Sequence, residues 1–238
     1  MIKLVGPTNR RDGMSREEYV RYYTGPQTEY ARQIPGLVRY YANPTLRAAN
    51  GGDPAWDSVA EMYYPTLETL RNAFTTSGEW QAARSDHLNG ISGRFMFAAE
   101  ETEFLSDDRP DLAPDGVKYL GFLNRKDRMS TGDFRRYWFD THVPLALQLP
   151  GLRRYRASVS LGSFNGDSPA HEPLAAGPFD GMVEMWFDNL QEFDAAFASP
   201  HWERLALDYY TNLAMGRMQV LVRENLVFDA TASRPDRG

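Results

Sequence analysis

Residues 20–40 read VRYYTGPQTEYARQIPGLVRY and residues 135–155 read RRYWFDTHVPLALQLPGLRRY, and the two are one pattern written twice. A shift of 115 pairs Tyr22 with Tyr137, Pro35 with Pro150, Gly36 with Gly151 and Tyr40 with Tyr155. The same shift runs upstream, pairing Asn9 with Asn124, Asp12 with Asp127 and Ser15 with Ser130. Downstream it becomes 123, pairing Asp57 with Asp180, Glu61 with Glu184, Met62 with Met185 and Phe74 with Phe197. In the last helix it is near 122, pairing Trp80 with Trp202 and Asp86 with Asp208. Such ordered matches mark a duplication, with a repeat too long for a solenoid unit and suited to a small domain.

Each unit reads β-α-β-β-α-β. Ser15 with Glu18, and more weakly Ser130 with Asp133, form capping-box patterns that start helices near residues 16 and 131. Phe134, Tyr137, Trp138, Thr141, His142 and Leu145 then share one helical face. Pro144 distorts this helix locally and Pro26 its counterpart, while Pro-Gly at 35–36 and 150–151 turns the chain. In DGMVEMWF, residues 180–187, the strand period puts Met182, Glu184 and Trp186 on one side and Val183, Met185 and Phe187 on the other. Two helices on one face of a four-stranded antiparallel sheet is the ferredoxin-like plan. A sheet apolar on both faces needs a second cover, and the simplest is the other unit's sheet. The expected organisation is therefore α+β, with a first unit at 1–105, a linker at 106–116, a second unit at 117–228 and a flexible tail at 229–238.

The composition narrows the function. A net charge of −6 with no long basic run argues against nucleic acid as a partner. The absence of cysteine removes disulfides, thiolate nucleophiles and cysteine-held metals. No apolar run is long enough for a membrane span, and the early charges at Arg10 and Arg11 do not suit a signal peptide, so a cytoplasmic protein is expected. Aromatic residues make up 13% of the chain, enough to line a pocket for a flat organic ligand as well as a core. No glycine-rich phosphate loop, dinucleotide fingerprint or metal-ligand spacing is present.

Tyr137-Trp138, then Thr141-His142-Val143-Pro144-Leu145, then Leu149-Pro150-Gly151-Leu152 and Tyr155, resemble the EthD family of the dimeric α+β barrel superfamily. Glu184-Met185-Trp186-Phe187 and Ser199-Pro200 extend the resemblance, which covers nearly the whole chain, once per half. It implies a tandem form in which two units close one pseudo-dimeric α+β barrel. It also implies a ligand cavity between helices and sheet, with the first-helix histidine pointing in; that position is His142. The first half departs from the pattern, since Gln27 stands there and cannot act as a general base near neutral pH.

The superfamily hosts cofactor-free monooxygenases, isomerases, cyclases, decarboxylases, dehydratases, haem enzymes and members without known activity, so fold leaves the reaction open. The expectation is an enzyme needing no cofactor or metal. It would act as a lyase or isomerase on an aromatic or polyketide-like hydroxycarbonyl compound, with His142 as general base. A cofactor-free monooxygenase and a non-catalytic binding protein are the alternatives. His142, Tyr155 and Asp208 are the catalytic candidates. Asp208 would fix the imidazole tautomer, although its presence in both halves also fits a structural role. Trp138, Tyr137, Asn124, His201 and Gln27 are the substrate-binding candidates. Four of them have a plainer reading: Trp138 as core, Tyr137 as structural, Asn124 as a turn residue like Asn9, and His201 as a surface histidine. Glu61 and Glu184 are read as interface residues paired with arginines. The fusion satisfies the usual dimer internally, and a further homodimer through the outer helices stays open.

Overall fold

The structure, a computed structural model, describes residues 1–76, 78, 90–107, 114–164 and 174–231. The first half runs β1 (Ile2–Arg10), α1 (Arg16–Thr24), α2 (Pro26–Ala31), β2 (Arg39–Ala48), β3 (Ser58–Tyr64), α3 (Leu67–Thr76), β4 (Ile91–Arg94) and β5 (Phe97–Leu105). The second runs β6 (Val117–Arg125), α4 (Thr131–Tyr137), a π-helical turn (Trp138–His142), α5 (Val143–Ala146), β7 (Arg154–Ser163), β8 (Gly181–Phe187), α6 (Leu190–Phe197) and α7 (Pro200–Asp208). A second π turn (Tyr209–Leu213), β9 (Ala214–Val222) and β10 (Leu226–Asp229) complete it.

The strands form one antiparallel sheet in the order β2-β3-β1-β5-β7-β8-β6-β9, and β9 pairs back with β2 to close it. Closure removes the free edges that two separate sheets would expose. The halves meet at two seams, β5 with β7 and β9 with β2. Registers repeat between halves. Leu4 faces Met62 and Tyr40 faces Met62 in the first, as Tyr119 faces Met185 and Tyr155 faces Met185 in the second. The expected tandem ferredoxin-like units and the pseudo-dimeric barrel are both present.

Strand alternation separates three cores. Inward residues Val5, Phe97, Phe122 and Met182, with Trp56 and Phe179, make an apolar layer inside the barrel. Outward residues meet the helices in one cluster per half, with Leu4, Tyr40, Met62 and Tyr64 in the first and Tyr119, Tyr155, Met185 and Phe187 in the second.

The inward layer also holds fully buried charges. Lys118 lies 2.6 Å from Glu61 and 2.7 Å from Glu184, and Lys3 pairs with Glu184 and Glu101. The partners of Glu61 and Glu184 are thus chiefly lysines rather than the expected arginines, because Lys3 and Lys118 are inward residues of the strands next to them. Burial alone would lower both lysines, yet the surrounding carboxylates hold them above their ordinary values. Burial raises Glu61, and the Glu184 charge adds to this, bringing it to about 7. Glu184 goes the other way: Lys118, Lys3 and Arg156 outweigh its burial and hold it low.

Residues 229 and 230, expected in the flexible tail, are held to the sheet. Asp229 ends β10, bonds Arg39 at 2.8 Å, and Ala230 donates its backbone N–H to Val38. Most of the expected linker, together with Trp80, Asp86, His87 and His171, lies outside the described residues.

Candidate active site

The site of the second half is built where helix geometry departs from α. Pro144 has no N–H, so the Asp140 carbonyl loses its α-helical partner, and the Val143 N–H bonds back five residues to Trp138. The wider turn keeps residues four apart nearly in line. Phe134, Trp138, His142 and Ala146 are therefore the buried row, whereas Thr141, expected on this face, is exposed. The second π turn begins directly after Asp208, at the end of α7. Two wide turns on neighbouring helices thus bracket one pair of side chains.

That pair is His142 and Asp208, with Nδ1 of the ring 2.7 Å from Oδ2 of the carboxylate. Tyr137 donates its phenol to Oδ1 at 2.5 Å and Asn212 donates its amide at 2.9 Å. Burial pushes the Asp208 carboxyl up, but bonds from Tyr137, Asn212 and His142, and the charge of His142, outweigh it and leave Asp208 below the usual aspartate range. With an ionised Asp208 on Nδ1, Nε2 is the ring nitrogen able to take up a proton, and the carboxylate would stabilise an imidazolium formed there. The same contact pushes the Tyr137 phenol up to about 12, after burial.

His142 lines a cavity between helices and sheet. Its floor is Tyr119, Leu123, Val183 and Met185 from β6 and β8 with Tyr155 from β7. Its walls are Trp138, His142 and Ala146 on one side and Trp202, Leu205 and Tyr209 on the other. Its free volume is about 20 Å³, room for about one water molecule. Trp202, stacked on Phe197 at 3.8 Å, is the one lining residue that is not fully buried. A larger ligand enters only if this wall moves. Trp138 donates its indole N–H to the Tyr155 oxygen at 3.2 Å, so the Tyr155 hydroxyl keeps its own proton for a further bond. Burial raises the Tyr155 phenol far above neutrality, so it acts as a donor and not as a base.

Four of the eight residues singled out from the sequence come together: His142, Asp208, Tyr155 and Trp138. Tyr137 touches Asp208 instead of the cavity. Asn124 donates to the Pro178 carbonyl at 2.8 Å and secures the loop before β8, the turn role its counterpart suggested. His201, half-buried at the start of α7, accepts from Arg204 at 2.8 Å and does not line the cavity. Gln27 lies in the other half, where its side-chain oxygen accepts from Tyr40 at 3.3 Å. Sequence reasoning missed Asn212, although its place four residues after Asp208 on one helix is the spacing at which such side chains meet. It also missed Tyr209, whose hydroxyl donates to the Gly216 carbonyl at 2.7 Å. Among the described residues, no three histidine or acidic side chains are grouped to hold a metal.

Comparison with known proteins agrees on class. The EthD domain profile matches residues 11–91 and 126–211, and the chain belongs to the EthD family. It is 31% identical over 88 residues to an uncharacterised 11.0 kDa protein of the thcB-thcC intergenic region of Rhodococcus erythropolis, a match covering 37% of this chain and 76% of that protein. Among solved structures it resembles an anthrone oxidase-like protein, with 10% identity, a TM-score of 0.67 and coverage of 98% and 96% of the two chains. It also resembles a provisionally assigned monooxygenase from Lactobacillus acidophilus NCFM, with 11% identity, a TM-score of 0.56 and 96% of each chain covered. At these identities the shared property is the fold. No helix among the described residues is long and apolar enough to cross a membrane.

Proposed function

We propose that the second half is a proton-transfer enzyme site acting on an aromatic or polyketide-like hydroxycarbonyl compound, with His142 as general base. The observation that carries this reading is the 2.7 Å His142–Asp208 contact at the wall of an apolar cavity. Nε2 removes a proton from carbon next to a carbonyl, and the electron pair moves onto the carbonyl oxygen as an enolate. Tyr155 donates its hydroxyl to that oxygen. In a dehydration the enolate collapses, a β-hydroxyl leaves, and the imidazolium returns the proton to release water. Isomerisation and aldol-type cyclisation use the same base at carbon and the same oxyanion donor; in retro-aldol cleavage Nε2 takes the β-hydroxyl proton instead, and in decarboxylation loss of carbon dioxide makes the enolate, which protonated His142 then quenches. The lyase or isomerase reading needs no cofactor.

A second reading keeps the first step and lets the carbanion react with oxygen, as a cofactor-free monooxygenase. The oxidase-like and monooxygenase relatives support it. We read residues 1–105 as the non-catalytic unit and 117–228 as the catalytic one, with homodimerisation to be tested by sedimentation.

The test incubates wild type and His142→Gln with phenolic ketones and lactones in deuterated water. Wild type should exchange or convert a substrate that the variant binds but leaves unchanged. Oxygen consumption selects the monooxygenase reading, and turnover without it selects the lyase or isomerase. Equal binding by both proteins with no exchange in either would leave a binding protein and remove the base from His142.

A further inference from the structure

The walls of the His142 cavity are not held equally. Its floor stands on β6, β7 and β8, each paired on both sides within the closed sheet. On one wall Trp138 is bonded to Tyr155 and His142 to Asp208. On the other, Tyr209 is bonded to the Gly216 carbonyl and Leu205 is buried. Among the described lining residues, Trp202 is the one that also reaches solvent.

Its place in the chain lets it move. Helix α6 ends at Phe197 and α7 begins at Pro200, with Ala198 and Ser199 between them. Ser199 is extended, at φ −82° and ψ 154°, and its hydroxyl oxygen accepts the Trp202 backbone N–H at 3.3 Å. Trp202 thus lies in the first turn after a break, where small dihedral changes at two residues swing the ring. The far end of α7 is pinned by Asp208 on His142 and by Tyr209, so a swing opens the Trp202 end and leaves the proton-transfer pair in place.

The indole rests on Phe197, with ring centroids 3.8 Å apart and planes at 26°. Phe197 packs in turn on Tyr119 of the floor at 5.1 Å. Rings in contact are held by buried area and dispersion rather than by a directional bond. The closed cavity, at about 20 Å³, is far too small for an aromatic ligand.

We infer that Trp202 is the gate of the His142 cavity: its indole closes the route from solvent to Nε2, and its bulk sets the largest ligand that can be enclosed. The inference rests on the proposed reading of this cavity as the ligand site, but not on His142 acting as a base.

The experiment reads access to His142 without a substrate. Diethyl pyrocarbonate acylates an unprotonated imidazole nitrogen, and peptide mass analysis follows His142 over time. The full-length wild type is compared with Trp202→Ala, Trp202→Phe and Leu207→Ala, the last an outward residue of the same helix, 69% exposed. His142 should react about tenfold faster in Trp202→Ala, because the protecting closed state is lost. Trp202→Phe should lie between, and Leu207→Ala should match wild type. By calorimetry, Trp202→Ala should gain affinity for 2-naphthol relative to phenol, since the larger ring fills the space the indole leaves. Equal reaction rates in wild type and Trp202→Ala would overturn the gate, whatever His142 does in turnover. An unchanged preference between the two phenols would overturn the size limit. If Trp202→Ala does not fold, Trp202→Phe decides, and a rate equal to wild type sinks the gate. A faster rate in the variants, with turnover unaffected by His142→Gln, would keep the gate and remove only the base.

Discussion

In the second half the ring of Trp138 packs so close to β8 that a Cβ on Gly181 would lie 2.6 Å from it. In the first half Tyr23 and Ser58 occupy those two positions, and hydroxyls take the place of ring surface. The first helix differs as well. At Gly25-Pro26 it breaks into α1 and α2, and a Cβ on Gly25 would lie 2.7 Å from the Arg21 carbonyl. At Pro144 it widens into a π turn and continues. One sheet register therefore carries two differently lined positions, and the difference lies in which helix distortion and which side chains sit above it.

The largest test of this comparison is at the paired position. His142→Gln makes the second half resemble the first and should reduce turnover by about 10²–10⁴-fold with the fold retained, read by steady-state kinetics and circular dichroism. Gln27→Ala should leave turnover close to wild type. Comparable losses from both would remove the division of labour between halves.

Next comes Asp208→Asn, which keeps the shape of the side chain and removes its charge. Turnover should fall about 10–100-fold with binding little changed. Tyr137→Phe withdraws one donor from the carboxylate and should lower turnover less. The Asp208 carboxyl is depressed, so its stabilising contribution is present above the unfolded pKa and lost as pH falls through the folded one. In Tyr137→Phe that loss should begin at higher pH, seen in acid unfolding followed by tryptophan fluorescence.

The barrel interior offers a comparison between equivalent glutamates. Glu184 is held ionised between two lysines, so Glu184→Gln leaves them poorly neutralised and should cost about 3–5 kcal/mol in urea unfolding. Glu61→Gln should cost much less near neutral pH.

The smallest effect is the pH slope set by Glu61. Its folded pKa of about 7 lies above its unfolded value, so its contribution is fully present below the unfolded pKa. That contribution is lost as pH rises through about 7. Wild type should therefore lose stability between pH 5 and 8 on this account, and Glu61→Gln should flatten the slope. A steeper slope in the variant would place the proton elsewhere in the cluster.

Much of this was readable from residues alone. The duplicated pattern, the capping serines and the strand alternation of residues 180–187 determined two β-α-β-β-α-β units, because local periodicity and turn chemistry act over a few residues. His142 stood out because its counterpart is Gln27, and Asp208 was visible as a candidate. Only the tertiary structure decided that Asp208 reaches Nδ1 of His142, that Tyr137 and Asn212 support that carboxylate, and that Asn124 and His201 stay out of the cavity. These contacts join elements up to 71 residues apart, and their angles depend on two π turns that no local propensity announces. The same holds inside the barrel. Lysines face Glu61 and Glu184 because strand pairing, not sequence spacing, chooses the neighbours of a buried charge.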